Sequence, residues 1–330
     1  MSDFASSHIK CFNPSEDGSS ILPKQKIYHY TSAQGLFSIL KNQTIRFTDC
    51  QFLNDKSEYN HIREPLKTAL EETYYSLHDP SVGEMLNNVI TDNYEWETLV
   101  NLSPSQPQGL KGLKIKMYKM RYYVFCATDL SDSLGMWNYY VKGGNYQGYN
   151  LQISINDFLN CFGPIRNPNV DVFYGKVIYK EKDKVDILKS IIQSVDQKLN
   201  DSLLDINDEE DNDITRQESQ GELLTYLENF RLFFKDSAFS AEREYRFIVR
   251  VPLECENAED DVLQTGYDMK NGIMVPYCEL KLDKCNTISS ITLSPMLEND
   301  LAENGLKRFL KDNGYSDKID VKQSKIPIRY

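Results

Sequence analysis

Residues 27–58, IYHYTSAQGLFSILKNQTIRFTDCQFLNDKSE, predict a strand, a helix and a second strand around which the rest of the chain is organised. The first run is aromatic and β-prone, and Thr31-Ser32 offers a hydroxyl that can cap the helix that follows. Apolar residues then recur at helical spacing, with Leu36, Ile39 and Leu40 on one face. Ile45 and Phe47 alternate with polar residues, which is typical of a half-buried strand.

His29 lies at the end of the first predicted strand, beside the N-terminus of the predicted helix. The free N–H groups of a helix N-terminus can hold an anion or a sugar phosphate. A histidine in this position can equally be a structural residue that is hydrogen-bonded to its neighbours. The sequence leaves both interpretations open.

Composition restricts the classes of function. The chain has 330 residues and a formal net charge of −12, which argues against nonspecific adhesion to nucleic acid or anionic lipid. Its seven cysteines are odd in number and include no C-x-x-C pair, which indicates reduced thiols rather than disulfides or a zinc site. No stretch reaches the roughly 20 apolar residues of a membrane helix, so we expect a cytoplasmic protein without a membrane partner.

The order of predicted elements indicates an α+β fold. Residues 1–23 are polar and serine-rich and predict a flexible N-terminal lead-in, followed by a single α+β domain at 24–330. Within that domain, 56–121 form a predicted helical region, and 181–236 a predicted helical insertion that includes an acidic loop at 205–213. The acidic residues of this loop do not match the spacing of a calcium-binding loop.

A basic stripe at 109–121 interleaves Lys and Arg with apolar residues in an otherwise acidic chain. Such a stripe is typical of a solvated helix face. It is also the segment where we expect a phosphate-rich partner to dock, if there is one.

A short helix predicted after Ser133 carries a group of aromatic residues. Trp137 and Tyr140 lie on one side of it and Tyr139 on another. Aromatic residues at helical spacing usually belong to a core. A tyrosine that faces a cleft would instead offer a flat surface on which a planar ring can stack.

The segment EREYRFIVRV predicts a strand in which Glu242, Glu244 and Arg246 point to one face. Two carboxylates at this spacing repel each other unless a cation such as Arg246 pairs with them or they have a catalytic role. An Arg–Glu ladder on an edge strand would give the same pattern. The spacing does not decide between the two.

Together these motifs resemble a large bacterial family of unassigned activity, the domain-of-unknown-function family 2971. The resemblance covers roughly residues 24–330. The matching pieces are Tyr28-His29-Tyr30-Thr31, the G-L-x-x-I-L helix at 35–40, Leu53-Asn54-Asp55 with Glu58, Met136-Trp137-x-x-Tyr140, Glu242-Arg243-Glu244-Tyr245-Arg246, and Ile288-x-x-Ile291 with the helix that follows.

The chain also resembles, more distantly, the ADP-ribosyltransferase superfamily, in which a His, a Tyr and a Glu surround bound NAD in the same chain order. The resemblance implies a split, twisted β-sheet flanked by helices. It further implies that His29 binds the adenosine ribose and that the backbone of Tyr30 and Thr31 holds nicotinamide. The candidate cofactor-binding residues are His29, Tyr30, Thr31, Trp137, Tyr139, Tyr140 and Arg246.

In the same resemblance Tyr139 or Tyr140 stacks on the nicotinamide ring, and Glu244 stabilises the oxocarbenium ion that forms as the glycosidic bond breaks. Glu242 matches the position of a carboxylate that orients the acceptor nucleophile, so Glu242 and Glu244 are the candidate catalytic residues. Cleavage of nicotinamide from NAD builds positive charge on the ribose, and a fixed carboxylate favours that transition state.

The implied function is therefore NAD-dependent ADP-ribosyl transfer to an unknown protein or nucleic-acid acceptor, or NAD hydrolysis, in a bacterial toxin or an antiphage defence effector. NAD is then a substrate, and no metal is required. One alternative is a noncatalytic binding or regulatory module in which Glu242 and Glu244 pair with Arg246 and neighbouring lysines. Another is a nucleic-acid-processing enzyme in which the two carboxylates bind magnesium together with Asp49, Asp55 or Glu58.

Overall fold

The computed structural model describes residues 9–11, 25–53, 61–91, 120–141, 147–165, 170–204, 209–252, 263–270, 272–283, 286–297, 300–315 and 319–328. These residues form an α+β fold with a mixed, open, twisted sheet. The strands are β1 (Ile9–Cys11), β2 (Lys26–Ser32), β3 (Thr44–Asp49), β4 (Met120–Thr128), β5 (Gly148–Ser154), β6 (Asp171–Lys176), β7 (Glu244–Pro252), β8 (Leu263–Lys270), β9 (Ile273–Lys281), β10 (Ile288–Leu293) and β11 (Asp320–Gln323). The helices are α1 (Ala33–Asn42), α2 (Arg63–Thr73), α3 (Pro80–Ile90), α4 (Leu134–Tyr140), α5 (Ile155–Asn160), α6 (Glu181–Leu204), α7 (Glu209–Arg231) and α8 (Asp300–Asp312).

The sheet divides at β4. Its main path runs β1-β6-β7-β4-β2-β5-β10-β11, and β3 leaves this path at β4 to continue through β9 to β8. One edge of β4 pairs with β7 along its whole length. The other edge pairs with β3 at Tyr123 and Val124 and with β2 at Thr128. Among the described residues, the part of this edge between those two pairings has no partner strand, and it opens a gap between β2 and β3.

Two apolar cores lie on the two faces of the sheet, as the alternation of side chains along β4 and β7 requires. Phe125 and Phe247 belong to the core that packs against α1, α5 and α8. Val124 and Ile248 belong to the core under α2, α3, α6 and α7. The helices predicted at 56–121 and 181–236 therefore contribute to one shared core.

The opening segment folds largely as predicted. Ser32 caps α1 by accepting a hydrogen bond from the Gly35 N–H at 3.1 Å, and Leu36 and Leu40 are buried. In β3, alternation buries Ile45 and Phe47.

Helix boundaries differ from the predictions at three points. Pro65 predicts a break in the helix that follows Lys56, but it lies in the first turn of α2, where its missing N–H has no intrahelical partner. Helix α7 begins at Glu209, so residues 209–213 of the predicted acidic loop are helical, and acidic side chains are favourable at a helix N-terminus. Ser294-Pro295 predicts a helix that begins at Met296, but Pro295 lies in a turn, and α8 begins at Asp300.

The chain ends and the basic stripe are described only in part. Ile9–Cys11, within the predicted lead-in, pair in parallel with β6. Residues 109–119 of the predicted stripe lie outside the described residues, and Arg121 belongs to β4. Within the described part of the chain, we find no helix with the length and apolar character needed to cross a membrane.

Candidate functional site

A cavity of about 250 Å³ opens where β2 and β3 separate along the edge of β4. Its walls come from both branches of the sheet, from α4 and from the segment that leads into β7. The polar and charged residues that line it are Tyr28, His29, Tyr30, Arg46, Thr48, Cys126, Tyr140, Lys235, Glu242, Glu244, Arg246 and Lys270. The division of the sheet therefore brings together side chains that are far apart in sequence.

A buried ammonium group joins the two candidate carboxylates. Lys235 Nζ donates to Glu242 Oε2 at 2.7 Å and to Glu244 Oε2 at 2.9 Å. All three residues are less than 10% exposed. Charged groups are buried at this depth only when they are paired and hydrogen-bonded.

Arg246 forms a second ion pair with Glu244. Its Nε donates to Glu244 Oε1 at 2.9 Å and its second terminal nitrogen donates to Oε2 at 3.2 Å, while the other terminal nitrogen reaches the Leu232 carbonyl at 2.6 Å. The Cys126 thiol also hydrogen-bonds to the Glu244 carboxylate. Both oxygens of Glu244 are thus engaged within the protein, and together with Lys235 and Glu242 these residues form a buried charge cluster.

The prediction that Glu242 lies on the strand with Glu244 is wrong. Glu242 ends the 3-10 helix Ser237–Glu242, and β7 begins at Glu244. Between them Arg243 is left-handed, with φ of 47°, a conformation that costs a non-glycine residue roughly 1–2 kcal/mol. Arg243 is held there by an ion pair with Asp129 at 2.7 Å, and Thr128 donates to the Glu242 carbonyl.

Pairing determines the charge state of this cluster. Burial alone would raise the pKa of Glu244, but the charges of Arg246 and Lys235 lower it to about 2. Burial alone would lower the pKa of Lys235, but the charge of Glu244 and the hydrogen bond to Glu242 raise it instead. Glu244 and Lys235 are therefore charged at neutral pH.

Acid should weaken the folded state through Glu244. Because its pKa falls from 4.5 to about 2 on folding, the unfolded chain binds more protons in this range. The stabilisation is complete above pH 4.5, amounts to roughly 3 kcal/mol, and is lost as the pH falls toward 2. Urea denaturation followed by circular dichroism between pH 5.5 and 2.5 measures the decline, which should be shallower in Glu244→Gln. Equal slopes in the two proteins would contradict the assignment.

His29 is neutral and has one defined tautomer. Its Nδ1 lies 3.0 Å from the Cys126 carbonyl oxygen, and because a carbonyl only accepts, Nδ1 carries the proton. Burial lowers the pKa of His29, with the Cys126 hydrogen bond opposing this. Nε2 is therefore the acceptor nitrogen of this cavity-lining side chain.

Two tyrosines interact with Glu244. Burial, followed by the charges of Glu242 and Glu244, raises the pKa of Tyr140, so its hydroxyl remains protonated at the cavity. The Tyr179 hydroxyl accepts a hydrogen bond from the Glu244 N–H at 2.9 Å and fixes the start of β7.

The structure brings together only part of the set of residues predicted from the sequence. The predicted residues that line the cavity are His29, Tyr30, Tyr140, Glu242, Glu244 and Arg246. Trp137 lies instead in a third, small apolar cluster with Tyr30, Met136 and Val141: it is fully buried, packs edge-to-face on Tyr30 and donates from Nε1 to Asp132. Tyr139 is 68% exposed, and neither it nor Thr31 lines the cavity.

Sequence reasoning missed four charged or thiol groups at this site: Lys235, Cys126, Arg46 and Lys270. Lys235 had a weak signal, because it directly follows the apolar run 232–234 and so was a candidate for a buried ammonium. Cys126, Arg46 and Lys270 lie on three different strands, and strand pairing brings them to the cavity.

The described residues offer no set of ligands for the magnesium ion of the alternative hypothesis. The described parts of the chain contain no group of three His, Cys, Asp or Glu residues placed to hold a metal ion. Asp49 accepts from the Gln51 N–H at the start of a 3-10 turn, and Asp55 and Glu58 lie outside the described residues.

The fold and the cavity define an α+β protein with a cleft of about 250 Å³ built over a buried cluster of two carboxylates, an ammonium and a guanidinium. Residues 136–247 match the model of a family described as protein of unknown function (DUF2971), which confirms the resemblance to that family over this part of the chain. The matched segment contains Tyr140 and the whole buried charge cluster. No curated protein and no solved structure matches the chain.

Proposed function

We propose that the chain binds NAD in this cavity and cleaves the bond between nicotinamide and ribose, transferring ADP-ribose to an acceptor or to water. The observation that carries this proposal is the convergence of His29, Tyr140 and Glu244 on one cavity, although more than a hundred residues separate each from the next. They occur in the order that the distant resemblance to ADP-ribosyltransferases implies.

The chemistry of the three groups suits the reaction. The acceptor nitrogen of neutral His29 can accept a hydrogen bond from a ribose hydroxyl, and the Tyr140 ring offers a surface on which nicotinamide can stack. Glu244 is ionised at neutral pH and fixed in place, as a group that stabilises an oxocarbenium-like transition state must be. The cavity is smaller than the roughly 300–1,000 Å³ of typical ligand pockets, so it suits one end of the dinucleotide.

A noncatalytic binding module is the second candidate, and one observation favours it. Glu244 is saturated by Arg246 and Lys235, and the two positive and two negative charges of the cluster balance. A buried cluster of this kind can have a purely structural role, in which it joins β7 to the segment before it. Catalysis by Glu244 requires that ligand binding displace at least one of these contacts.

Nicotinamide release from NAD by purified protein, with and without cell lysate as a source of acceptor, tests the proposal. Wild type should release nicotinamide, and Tyr140→Ala should do so about fivefold more slowly, because a ring contact of roughly 1 kcal/mol is lost. Tyr139→Ala is the matched control, since its exposed side chain lies outside the cavity. Absence of release by folded wild type in the presence of lysate would move the assignment to the binding module.

A further inference from the structure

The β8–β9 hairpin places one lysine at the rim of the cavity. Lys270 is the last residue of β8 and pairs with Ile273 across the hairpin turn. Its side chain is exposed to solvent and also lines the cavity. It is therefore positioned to contact whatever part of a ligand extends from the cavity.

The other cations that line the cavity are already paired. Lys235 and Arg246 belong to the buried charge cluster. Arg46 donates to Glu279 at 2.6 Å and to Asp268 at 2.9 Å. Among the residues that the structure describes, Lys270 has no ion-pair partner, so its charge is available to a ligand.

The hairpin is anchored, which fixes where Lys270 is presented. Arg46 of β3 reaches across β9 to Asp268 of β8, and its guanidinium lies 4.2 Å from the centre of the Tyr277 ring. Gly266 leaves room for that ring, since a Cβ there would lie 2.7 Å from it. Side chains two residues apart in a strand share a face, so Asp268 and Lys270 point to the same side of the hairpin.

Charge at the rim of the cavity favours an anionic ligand. The cations and carboxylates of the buried charge cluster balance one another, and Arg46 is neutralised by Glu279 and Asp268. Among the described residues this leaves Lys270 as the cavity cation without an ion-pair partner, and such a cation attracts ligands of the opposite charge. The carboxylates lie in the buried cluster, whereas Lys270 lies at the rim, so the anionic group of the ligand belongs at the rim.

We propose that Lys270 binds a phosphate group of the cavity ligand and makes the site selective for phosphorylated compounds. The identity of that ligand as NAD rests on the proposed function. The nicotinamide and its ribose then occupy the cavity, and the adjoining diphosphate crosses the rim at Lys270. An ammonium group donates strong charge-assisted hydrogen bonds to phosphate oxygens.

Titration calorimetry with two ligands tests this proposal. NAD carries the diphosphate, whereas nicotinamide riboside presents the same nicotinamide and ribose without any phosphate. Lys270→Gln should weaken NAD binding ten- to a hundredfold, as expected for the loss of one charge-assisted hydrogen bond, and change nicotinamide riboside binding less than twofold. Lys270→Arg should retain most of the NAD affinity. Lys281→Gln, an exposed lysine of β9 outside the cavity lining, should behave as wild type.

Each other outcome has a defined meaning. Unchanged NAD affinity in Lys270→Gln would overturn the proposal, because the side chain would then not bind phosphate. Equal loss of affinity for both ligands would also overturn it, because the side chain would then affect only the shape of the cavity. If Lys270→Gln loses affinity for NAD alone and wild type releases no nicotinamide, the phosphate site is supported and the proposed reaction is rejected. Binding of neither ligand to folded wild type would reject both.

Discussion

Replacing Glu244 by glutamine should reduce nicotinamide release from NAD by at least two orders of magnitude. Glutamine keeps the shape of the side chain and removes the negative charge that the developing oxocarbenium ion requires. Removal of one preorganised stabilising group from a transition state typically lowers kcat by about 10²–10³. Because this interaction forms in the transition state rather than in the ground state, kcat and kcat/KM should fall together.

Glu242→Gln is the matched comparison for this experiment. The residue is also buried and also accepts a hydrogen bond from Lys235, but it does not contact Arg246 through any described hydrogen bond. If Glu242 orients the acceptor, as the resemblance implies, its substitution should lower transfer to lysate acceptors more than hydrolysis of NAD. Radiolabelled NAD, with free nicotinamide and acceptor-bound label counted separately, distinguishes the two effects.

Stability must be measured on the same Glu244→Gln protein. Loss of one partner from a buried ion pair typically costs about 3–5 kcal/mol, and here both Arg246 and Lys235 lose part of their compensation. Urea denaturation establishes how much folded enzyme each assay contains. Full activity per folded molecule in Glu244→Gln would remove Glu244 from catalysis and leave it with a structural role.

Local sequence patterns sufficed for much of the fold. The capping hydroxyl of Ser32, the helical spacing of Leu36 and Leu40, and the alternation in β3 are decided by residues close together in the chain. By contrast, β8 was not predicted, because its polar run QTGYDMK carries little strand signal, and pairing with β9 overrides that weak preference.

The members of the candidate site were predictable in part, but its geometry was not. His29, Tyr140 and Glu244 were found from motifs, whereas their meeting depends on β4 sharing one edge between β2 and β3. Glu242 was assigned to the strand because residue periodicity cannot reveal a left-handed arginine at the next position. Lys235 was missed because its contacts with Glu242 and Glu244 depend on how the chain folds back through the 3-10 helix at Ser237–Glu242, which residue periodicity does not show.

Lys235→Met should destabilise the protein by about 3–5 kcal/mol at neutral pH, because it removes the ammonium partner of two buried carboxylates. In wild type the carboxylates of Glu242 and Glu244 share the Lys235 ammonium. Methionine fills a similar volume but removes that ammonium, so the two carboxylates face each other directly. Two carboxylates in such proximity cannot both remain ionised without cost, so the pKa of one of them should rise in the variant.

The pH dependence of the variant follows from that shift. A carboxyl group whose pKa is higher in the folded than in the unfolded state stabilises the fold at low pH and loses that contribution as the pH rises through the folded pKa. Lys235→Met should therefore be closer in stability to wild type at pH 5 than at pH 7.5. Urea denaturation at these two values measures the difference, and an equal deficit at both would show that the two carboxylates do not interact.

A second substitution separates electrostatics from packing. In the double variant Lys235→Met/Glu242→Gln, Glu244 is the one carboxylate of the pair that remains, and it keeps its ion pair with Arg246. Part of the stability lost in Lys235→Met should therefore return. Lys189→Met is the control: its ion pair with Glu72 is exposed to solvent, and exposed pairs contribute little. If the double variant is no more stable than Lys235→Met, the ammonium group acts through packing alone. Recovery would instead identify Lys235 as the group that allows two carboxylates to lie beside one ligand cavity, an arrangement that the proposed reaction requires.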